Sequence, residues 1–257
     1  MADEVLCTVH DGVATVTLNR PAKRNAMNTA LLLGLRAAFE RLEGDAGVRV
    51  VVLRGAGPAF CAGMDLDELG RRQQEAADPE ANVVTVLQTI ERSRHPTLAV
   101  IHGDAFAGGC ELALHCDLRI AADGARFAMP LARIGLVVPF PLGQKLVEII
   151  GPAHTRHLLF TGAPIAARRA HEIGMVHEVL PADELERRTA ELGRAIAGHA
   201  PLSLQGMKAT ILRTISAREA IPHDDLDALA ARARKSRDAA EGARAMLEKR
   251  RPVFRGE

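Results

Sequence analysis

Residues 102–117 combine the residue types that oxyanion stabilisation and proton transfer require. The apolar run at 98–101 predicts a buried strand, and a helical pattern begins near Gly109. A strand that turns through Gly108 and Gly109 into a helix leaves backbone N–H groups at the helix start, where the helix dipole also favours negative charge. Glu111 lies in the first helical turn. The segment could therefore supply an oxyanion donor, the Gly108 N–H, and a carboxylate that transfers a proton.

A second segment repeats this order of elements. Taken alone, the first pattern is better explained by close packing at the glycines and by the affinity of Glu111 for the positive end of a helix. However, the strand-like run at 48–53 also leads through a glycine turn, 55–58, towards a helix start, with Met64 directly after a glycine. Two such turns are what an oxyanion hole with two backbone donors requires.

Together with three further segments, these turns resemble the crotonase superfamily, which contains the enoyl-CoA hydratases and isomerases. The matching segments follow the family's order over nearly the whole chain. They are 18–28 (LNRPAKRNAMN), 59–65 (AFCAGMD), 107–113 (AGGCELA), 116–121 (CDLRIA) and the ending 241–254, with EG at its start and MLEKRRPVF at its end.

The resemblance implies an α/β fold. We expect a crotonase-like spiral of repeated β-β-α units over residues 1–197, which carries the acyl-CoA site. Residues 198–257 would form a C-terminal helical annex that mediates oligomerisation, as a homotrimer or a dimer of trimers. The sequence itself supports a purely helical tail after Pro181, with prolines between its helices.

The resemblance also assigns roles to particular residues. The thioester oxygen of an acyl-CoA would sit between the backbone N–H groups of Met64 and Gly108, with Glu111 as the acid/base. Removing a proton next to a thioester, or adding a nucleophile one carbon further away, pushes charge onto this oxygen. In other enzymes each such donor contributes roughly 3–4 kcal/mol.

Coenzyme A would enter as part of the substrate, so no separate cofactor is expected. Lysine and arginine side chains would hold its phosphates, and residues around Met64 would contact the rest. Lys249 would reach the CoA of an adjacent subunit, although solvated surface charge explains that residue equally well. The predicted CoA-binding residues are Lys23, Arg24, Ala62, Asp65, Leu66 and Lys249.

Two positions depart from the family's hydratases. Those enzymes use two glutamates, of which the first matches Glu111 and the second falls on Leu131. Their water-positioning glycine falls on Pro139. Residues 135–140 look more like the Δ3,Δ2-enoyl-CoA isomerases, but those enzymes keep their glutamate at the position of Leu131 and usually lack the one at Glu111.

The expected activity follows from these matches and departures. Hydration of a 2-enoyl-CoA is the first expectation, and double-bond isomerisation with a single carboxylate is the second. A decarboxylase, a thioesterase or a catalytically weak acyl-CoA-binding paralogue are further alternatives. Burial would raise the pKa of Glu111 and the helix start would lower it, and the sequence does not give the sign of the sum.

Composition excludes several other classes. The 33 Lys and Arg nearly balance the 32 Asp and Glu, so no general attraction to nucleic acid or to an acidic membrane is expected. No apolar run approaches the ~20 residues that cross a bilayer. Four cysteines without CxxC spacing and a polar, acidic N-terminus favour a reduced, cytoplasmic protein. No histidine spacing predicts a metal site. His115, four residues after Glu111, could pair with it, but a structural role is favoured.

The periodicity of the remaining chain predicts its secondary structure. A hairpin is expected over 5–19, and 68–79 is expected to be a mobile helix or loop. The further predicted strands are 118–122, 125–129 and 175–179. One further helix is predicted to begin at 28–29. The other predicted helices cover 81–94, 153–161, 165–172, 182–199, 202–215 and 224–249.

Overall fold

The structure, a computed structural model, describes residues 3–72 and 79–256. Half of the segment predicted to be mobile, residues 73–78 of 68–79, lies outside the described residues. Within those two ranges ten strands are formed: β1 (Val5–His10), β2 (Val13–Leu18), β3 (Val50–Gly55), β4 (Ala59–Cys61), β5 (Thr97–Ile101), β6 (Asp104–Phe106), β7 (Leu118–Ala122), β8 (Arg126–Ala128), β9 (Ile165–Ala166) and β10 (Glu178–Leu180).

The same described ranges contain ten α-helices. They are α1 (Thr29–Glu43), α2 (Leu66–Arg72), α3 (Val83–Arg92), α4 (Gly108–Leu114), α5 (Phe140–Thr161), α6 (Ala167–Glu172), α7 (Leu185–Ala197), α8 (Pro201–Ile215), α9 (Asp224–Arg234) and α10 (Arg237–Leu247). A 3-10 turn, Pro130–Ile134, follows β8.

The strands form two sheets whose order defines a spiral. The larger sheet has the order β1-β2-β3-β5-β7-β10 and the smaller one β4-β6-β8-β9. Each turn of the chain therefore adds one strand to the larger sheet, the next strand to the smaller sheet, and then a helix: β3-β4-α2 and β5-β6-α4 are two such turns. Within the larger sheet every pair is parallel except the β1–β2 hairpin. This arrangement confirms the predicted spiral of β-β-α units.

The core lies where the helices cover the larger sheet. All five residues of β5 are buried, as expected for a parallel strand that is covered on both faces. Helix α1 begins where predicted, because the Asn28 side chain accepts a hydrogen bond from the Leu31 N–H at 2.8 Å. Its buried face carries Leu31, Leu32, Leu35, Ala38, Phe39 and Leu42.

Three secondary-structure predictions need correction. Residues 165–166 are not helical, because Ile165 pairs with Phe127 as strand β9, and the helix starts only at Ala167. The predicted strand at 175–179 is observed at 178–180, where it pairs with β7. The predicted single helix 224–249 is two helices, since Ser236 caps α10 by accepting from the Ala239 N–H at 3.0 Å.

The C-terminal helices pack on the core of their own chain. Lys208 on α8 is buried and donates to the His95 carbonyl at 2.9 Å and to Asp117 at 2.7 Å. Gly242 on α10 lies so close to the 3-10 turn that a Cβ atom would stand 2.5 Å from the Cα of Ile134. The predicted boundary at 197/198 falls at the end of α7. None of the helices in the described part of the chain is long and apolar enough to span a membrane.

Candidate active site

Two strand-to-helix turns meet at one edge of the smaller sheet. Strands β4 and β6 are parallel neighbours, so the turns after them, which carry Met64 and Gly108, lie side by side. A Cβ atom on Gly108 would stand 3.8 Å from the backbone nitrogen of Met64. The sequence-predicted pair of donors is therefore brought together.

The hydrogen bonds that hold these two turns do not use the Met64 or the Gly108 N–H group. Gly108 is the first residue of α4, where an N–H has no acceptor within the helix. The bridge between Met27 and the Met64 turn uses the Gly63 carbonyl and the Asp65 N–H, at 2.7 and 2.9 Å, and not the Met64 N–H. The positive end of the α4 dipole lies at the same point.

The two turns touch so closely that glycine is required between them. A Cβ atom on Gly109 would stand 2.1 Å from the Cys61 carbonyl oxygen. Ala107, directly before the Gly108 donor, has φ +48° and ψ −120°, a region that an L-residue with a Cβ rarely adopts. The backbone at this donor is therefore strained, and the surrounding packing holds it.

The Asn25 side chain holds the segment that leads to the Met64 turn. This residue was not predicted from the sequence. Its buried side chain donates to the carbonyl oxygens of Ala56 and Ala59, each at 2.8 Å, and accepts from the Arg20 N–H at 2.9 Å. Asn25 has φ +56°, a conformation that Asn tolerates better than most residues. An asparagine after the predicted strand end was the available signal.

Glu111 lies on α4 one turn after the Gly108 donor, and its carboxyl is sealed inside the protein. The residue is 0 % exposed, and neither carboxyl oxygen has a hydrogen-bond partner in the described structure. Burial raises the pKa of Glu111 well above its ordinary value, against the smaller opposing charge of Lys145. The carboxyl therefore stays protonated to a higher pH than an exposed glutamate does.

His115 contacts Glu111 from the next helical turn. Its Nδ1 lies 3.9 Å from Glu111 Oε2 and donates to the Glu111 backbone carbonyl at 2.8 Å. Both side chains are buried. The predicted proximity of the two residues is confirmed, and the backbone hydrogen bond is the structural role that the sequence favoured.

A buried ion pair lies near Glu111, between helices α3 and α5. This pair was not predicted from the sequence. Lys145 on α5 donates to Glu91 on α3 at 2.5 Å and to Glu148 at 3.0 Å. Lys145 and Glu91 are 4 % and 8 % exposed. They are 54 positions apart, so only the packing of α3 against α5 brings them together.

The predicted CoA-binding residues fall into two groups. Five lie on the loop before α1 or around the Met64 turn, and these two segments are joined by the hydrogen bond from the Ala62 N–H to the Arg24 carbonyl at 3.0 Å. The sixth, Lys249, is exposed after α10. Leu66 lines a small cavity of about 10 Å³ between α2, the 3-10 turn and the C-terminal helices. Their roles towards CoA stay predictions.

Three of these residues, Lys23, Arg24 and Asp65, already have ion-pair partners within the protein. Lys23 pairs with Asp67 at 3.3 Å, and both side chains are exposed. Arg24 pairs with the buried Asp104 at 2.5 Å, and Arg126 binds the same carboxylate through two hydrogen bonds of 2.8 Å.

Asp65 is likewise held, by Arg20 at 3.0 Å. Burial tends to raise the pKa of Asp65, but the hydrogen bond and charge of Arg20 lower it overall. Asp65 is thus an ionised structural carboxylate in this fold.

Comparison with known proteins identifies the family. The family model described as enoyl-CoA hydratase/isomerase matches residues 8–257. The chain belongs to the enoyl-CoA hydratase/isomerase family. It is 32 % identical to the 2,3-dehydroadipyl-CoA hydratase of Escherichia coli K12 over 259 residues, which cover 98 % of this chain and 99 % of that protein. It is 34 % identical to the enoyl-CoA hydratase EchA19 of Mycobacterium tuberculosis H37Rv over 250 residues, which cover 93 % and 91 %.

A solved structure agrees with the sequence relatives. Methylmalonyl-CoA decarboxylase complexed with 2S-carboxypropyl CoA superposes with a TM-score of 0.89 at 26 % identity, over 100 % of both chains. The family prediction is thus confirmed, and the chain is an acyl-CoA enzyme of this family.

The structure places the two residues at which the sequence analysis expects a departure from the family's hydratases, Leu131 and Pro139, in and after the third turn. Leu131 lies in the turn after β8, the third strand at the same sheet edge, and Ala107 is joined to β8 by a hydrogen bond to the Ala128 carbonyl at 2.8 Å. Leu131 is half-buried against the apolar core. Pro139 precedes α5 and has no N–H to donate. The third turn thus brings neither a carboxylate at 131 nor a backbone donor at 139.

The three buried cysteines of this family member are unsuited to nucleophilic catalysis. Burial raises the pKa of Cys61 and of Cys116 to about 12 and that of Cys110 further, so these thiols are not nucleophiles near neutral pH. Nowhere in the described ranges do three His, Cys, Asp or Glu side chains converge as metal ligands.

Proposed function

We propose that this chain binds an enoyl-CoA thioester, holds the thioester oxygen between the N–H groups of Met64 and Gly108, and uses Glu111 to move the proton at C2. The observation that carries the proposal is the Glu111 carboxyl itself. It is fully buried and without a hydrogen-bond partner in the described residues, yet it lies one helical turn from a backbone donor. A buried carboxyl without a partner is costly for stability, which favours a catalytic role.

The proposed chemistry passes through an enolate. When a proton leaves C2, or a hydroxide adds at C3, negative charge develops on the thioester oxygen. The Met64 and Gly108 donors are fixed before the reaction and would stabilise that charge by roughly 2.7–4 kcal/mol each. Proton transfer by Glu111 would add about 10²–10⁴-fold in rate.

Hydration of a 2-enoyl-CoA is the first reaction that we propose. Its support is similarity, because both sequence relatives compared above are named as hydratases. One carboxylate is sufficient for proton balance. Glu111 takes a proton from water while the hydroxide bonds to C3, and it then gives that proton to C2. A raised pKa suits this double role, because it makes the Glu111 carboxylate a stronger base towards the water proton.

Double-bond isomerisation is the second candidate, and the third turn at the sheet edge favours it. Leu131 cannot exchange a proton, and Pro139 has no N–H with which to position water. Isomerisation needs neither of these functions. Glu111 would take a proton from C2 of a 3-enoyl-CoA and return it at C4, so that the double bond moves without any addition of water.

We also propose that α8 contacts further copies of this chain in a trimer or a pair of trimers. Its outer surface carries Leu202, Met207 and Ile211, which are 81, 63 and 61 % exposed. Large apolar side chains grouped on one element often mark an interface. A molar mass of three or six chains in light scattering would agree, and a monomer would refute this part of the proposal.

Product analysis separates the two reactions. Crotonyl-CoA and 3-hexenoyl-CoA are incubated separately with the enzyme and examined by mass spectrometry and proton NMR. A gain of one water on crotonyl-CoA establishes hydration. A 2-enoyl product of unchanged mass from 3-hexenoyl-CoA establishes isomerisation. If neither thioester changes, the proposed enoyl-CoA chemistry is wrong.

A further inference from the structure

A buried lysine near the Glu111 carboxyl is held by two carboxylates. Lys145 on α5 donates to Glu91 on α3 at 2.5 Å and to Glu148 at 3.0 Å. Lys145 and Glu91 are buried, so salt and water screen their charges only weakly. One ammonium and two carboxylates leave one net negative charge on this set of three side chains, which we call the Lys145 group.

The Lys145 group lies against the helix that carries Glu111. Both α3 and α5 pack on α4. The charge of Lys145 acts on the Glu111 carboxyl, where it opposes the rise in pKa that burial causes. Glu91 lines a cavity of about 240 Å³ behind His115, and His115 Nδ1 is 3.9 Å from Glu111 Oε2. A charge at Lys145 or Glu91 therefore acts on Glu111 through the protein interior.

The strands that pack on α4 bring groups that are neutral or already bound. Strand β4 carries Cys61, whose pKa burial raises to about 12, so that this thiol is uncharged near neutral pH. Strand β6 carries Asp104, and the exposed side chains of Arg24 and Arg126 both bind its carboxylate. Solvent screens the charges of these two arginines.

Two further basic side chains lie nearer to solvent than Lys145 does. Arg92 and His223 line the same cavity as Glu91 and His115. Arg92 is exposed, and His223 Nδ1 lies 2.8 Å from the carboxylate of Asp227. The charges of Arg92 and His223 therefore act on Glu111 more weakly than the buried charge of Lys145.

Charges of opposite sign have opposite effects on a buried carboxyl. A nearby ammonium favours its ionised form, and a nearby carboxylate favours its protonated form. Because Glu91 and Glu148 offset the Lys145 ammonium, Glu111 holds its proton more firmly than it would beside an unpaired lysine. A carboxylate that holds a proton firmly is also a stronger base towards water or towards C2 of the substrate.

We propose that Glu91 is a positioning residue for catalysis, which binds the Lys145 ammonium and thereby sets how strongly Glu111 holds its proton. The inference rests on the proposed function of Glu111. Glu91 acts through Lys145 and contacts none of the reacting atoms. Glu148 acts in the same direction but more weakly, because 25 % of its side chain is exposed.

The first test measures the proton on Glu111 without any reaction. Infrared difference spectra follow the C=O stretch of the protonated carboxyl against pH, and the Glu111 band is the one that Glu111→Gln removes. The pH midpoint of this band is compared among wild type, Glu91→Gln and Glu91→Gln/Lys145→Met. The matched control is Glu172→Gln, which removes one carboxylate from an exposed ion pair with Arg169 on α6.

We expect Glu91→Gln to lower the midpoint by about one pH unit, the effect of one charge ~10 Å away at a dielectric constant of ~20. The glutamine keeps the shape of the side chain and its oxygen can still accept from Lys145, but the net charge of the Lys145 group becomes zero. Adding Lys145→Met restores one net negative charge, so the midpoint should return at least to the wild-type value. Glu172→Gln should leave the midpoint unchanged. If Glu91→Gln does not fold, Glu148→Gln replaces it, with a smaller shift in the same direction.

The second test follows kcat/KM of the thioester that wild type turns over against pH. When Glu111 acts as the base, kcat/KM rises with pH as the carboxyl ionises. In Glu91→Gln this rise should move to lower pH together with the infrared midpoint, and the plateau above it should be lower because the base is weaker. The Kd for butyryl-CoA should stay unchanged. A merely structural Glu91 would leave the rise at its wild-type pH.

The contrary outcomes are distinct. A midpoint of Glu91→Gln at or above the wild-type value would overturn the inference, as would the absence of a Glu111 band at every pH, and an inactive Glu111→Gln would still support the proposed function. A lowered midpoint that Lys145→Met does not restore would also overturn it, because Glu91 would then not act through Lys145. Turnover by Glu111→Gln at the wild-type rate would refute the proposed function, and with it the catalytic role of Glu91, whatever the infrared midpoints are.

Discussion

Gly63 and Ala107 are in direct contact: a Cβ atom on Gly63 would stand 3.0 Å from the Cβ of Ala107. It would also stand 2.9 Å from the Phe106 carbonyl oxygen and 3.3 Å from the Gly108 nitrogen. Gly63 directly precedes the Met64 donor, and Ala107 directly precedes the Gly108 donor. This contact therefore sets the separation of the two proposed oxyanion donors.

Gly63→Ala should damage activity strongly. Gly63 has φ +96°, which an alanine adopts only with strain, and its new methyl group would push the two turns apart. We expect a loss of about 100-fold or more in kcat/KM, the size of one misplaced oxyanion donor. We expect a loss of about 1–3 kcal/mol in the free energy of unfolding. Turnover and urea denaturation measure both.

Gly124→Ala is the matched control, because a Cβ atom there would meet nothing within 4 Å. It should keep wild-type kcat/KM. Equal losses in the two variants would show that the contact between Gly63 and Ala107 does not set the donor geometry.

Ala107→Gly should stabilise the protein, although alanine-to-glycine changes usually do the reverse. The φ of +48° and ψ of −120° cost an alanine about 1–3 kcal/mol and cost a glycine almost nothing. The added freedom of the unfolded chain offsets about 0.4–1 kcal/mol of that gain. Urea denaturation should therefore give a higher midpoint. Ala195→Gly, at an exposed position of α7, should lose about 1 kcal/mol instead. If Ala107→Gly lost a similar amount of free energy of unfolding, the backbone at Ala107 would not be strained.

The free energy of unfolding of Glu111→Gln, compared with that of wild type, should increase as the pH rises. Burial raises the pKa of Glu111 above its ordinary 4.5, so the native state holds this proton after the unfolded chain has lost it. Wild-type stability therefore falls above about pH 4.5, by up to ~1.4 kcal/mol per pH unit, until the raised pKa is passed. Glutamine cannot ionise, so the stability of the variant does not decrease with pH through this residue. Parallel stability curves for the two proteins between pH 4 and 8 would contradict the buried, protonated carboxyl.

Leu131→Glu should increase hydration of crotonyl-CoA relative to isomerisation. The change places a second carboxyl in the third turn at the sheet edge, where the family resemblance puts the missing acid. A second acid/base group contributes about 10²–10⁴-fold, so we expect a gain of at least tenfold in the hydration rate, despite the cost of a second carboxyl near Glu111. Leu131→Gln controls for the change in shape. Equal rates in both variants would show that position 131 does not face the reacting carbons.

Lys23→Met should weaken binding of CoA without changing stability. The exposed ion pair of Lys23 with Asp67 contributes little, so the ammonium can turn to a phosphate at small cost. Loss of one such contact predicts about a tenfold higher Kd in calorimetry. Lys235→Met removes an equal charge from an exposed site after α9 and should leave the Kd unchanged. If both variants had the same Kd for CoA, Lys23 would not contact CoA.

Signals within a few residues of one another were sufficient to predict much of the fold. The Asn28 cap, the turn between β1 and β2 and the glycine turns before α2 and α4 act within a few residues, so the sequence displays them directly. Strand β9 was missed because only pairing with β8 holds Ile165 and Ala166 extended, and tertiary pairing overrides local preference in so short a segment. The break at Ser236 had a local signal, a serine cap within an otherwise helix-favouring run.

The candidate site was predictable in its residues but not in its environment. The spacing of Glu111 and His115 predicts that they share a helix face. It says nothing about the full burial of the carboxyl, which decides the direction of its pKa shift. The cavity behind His115 and the ion pair of Lys145 with Glu91 need three helices that are far apart in sequence. These features follow from packing and are visible only in the fold.

The most direct test of the account compares wild type with Glu111→Gln in heavy water, with crotonyl-CoA and 3-hexenoyl-CoA as substrates. Mass spectrometry follows the product and its deuterium content, and calorimetry gives the Kd of each thioester. The account predicts that wild type converts at least one thioester, with deuterium incorporated at C2 when the reaction is hydration, and that Glu111→Gln binds both equally well but reacts about 10²–10⁴-fold more slowly. Turnover by Glu111→Gln at the wild-type rate would contradict the central claim that Glu111 moves the proton.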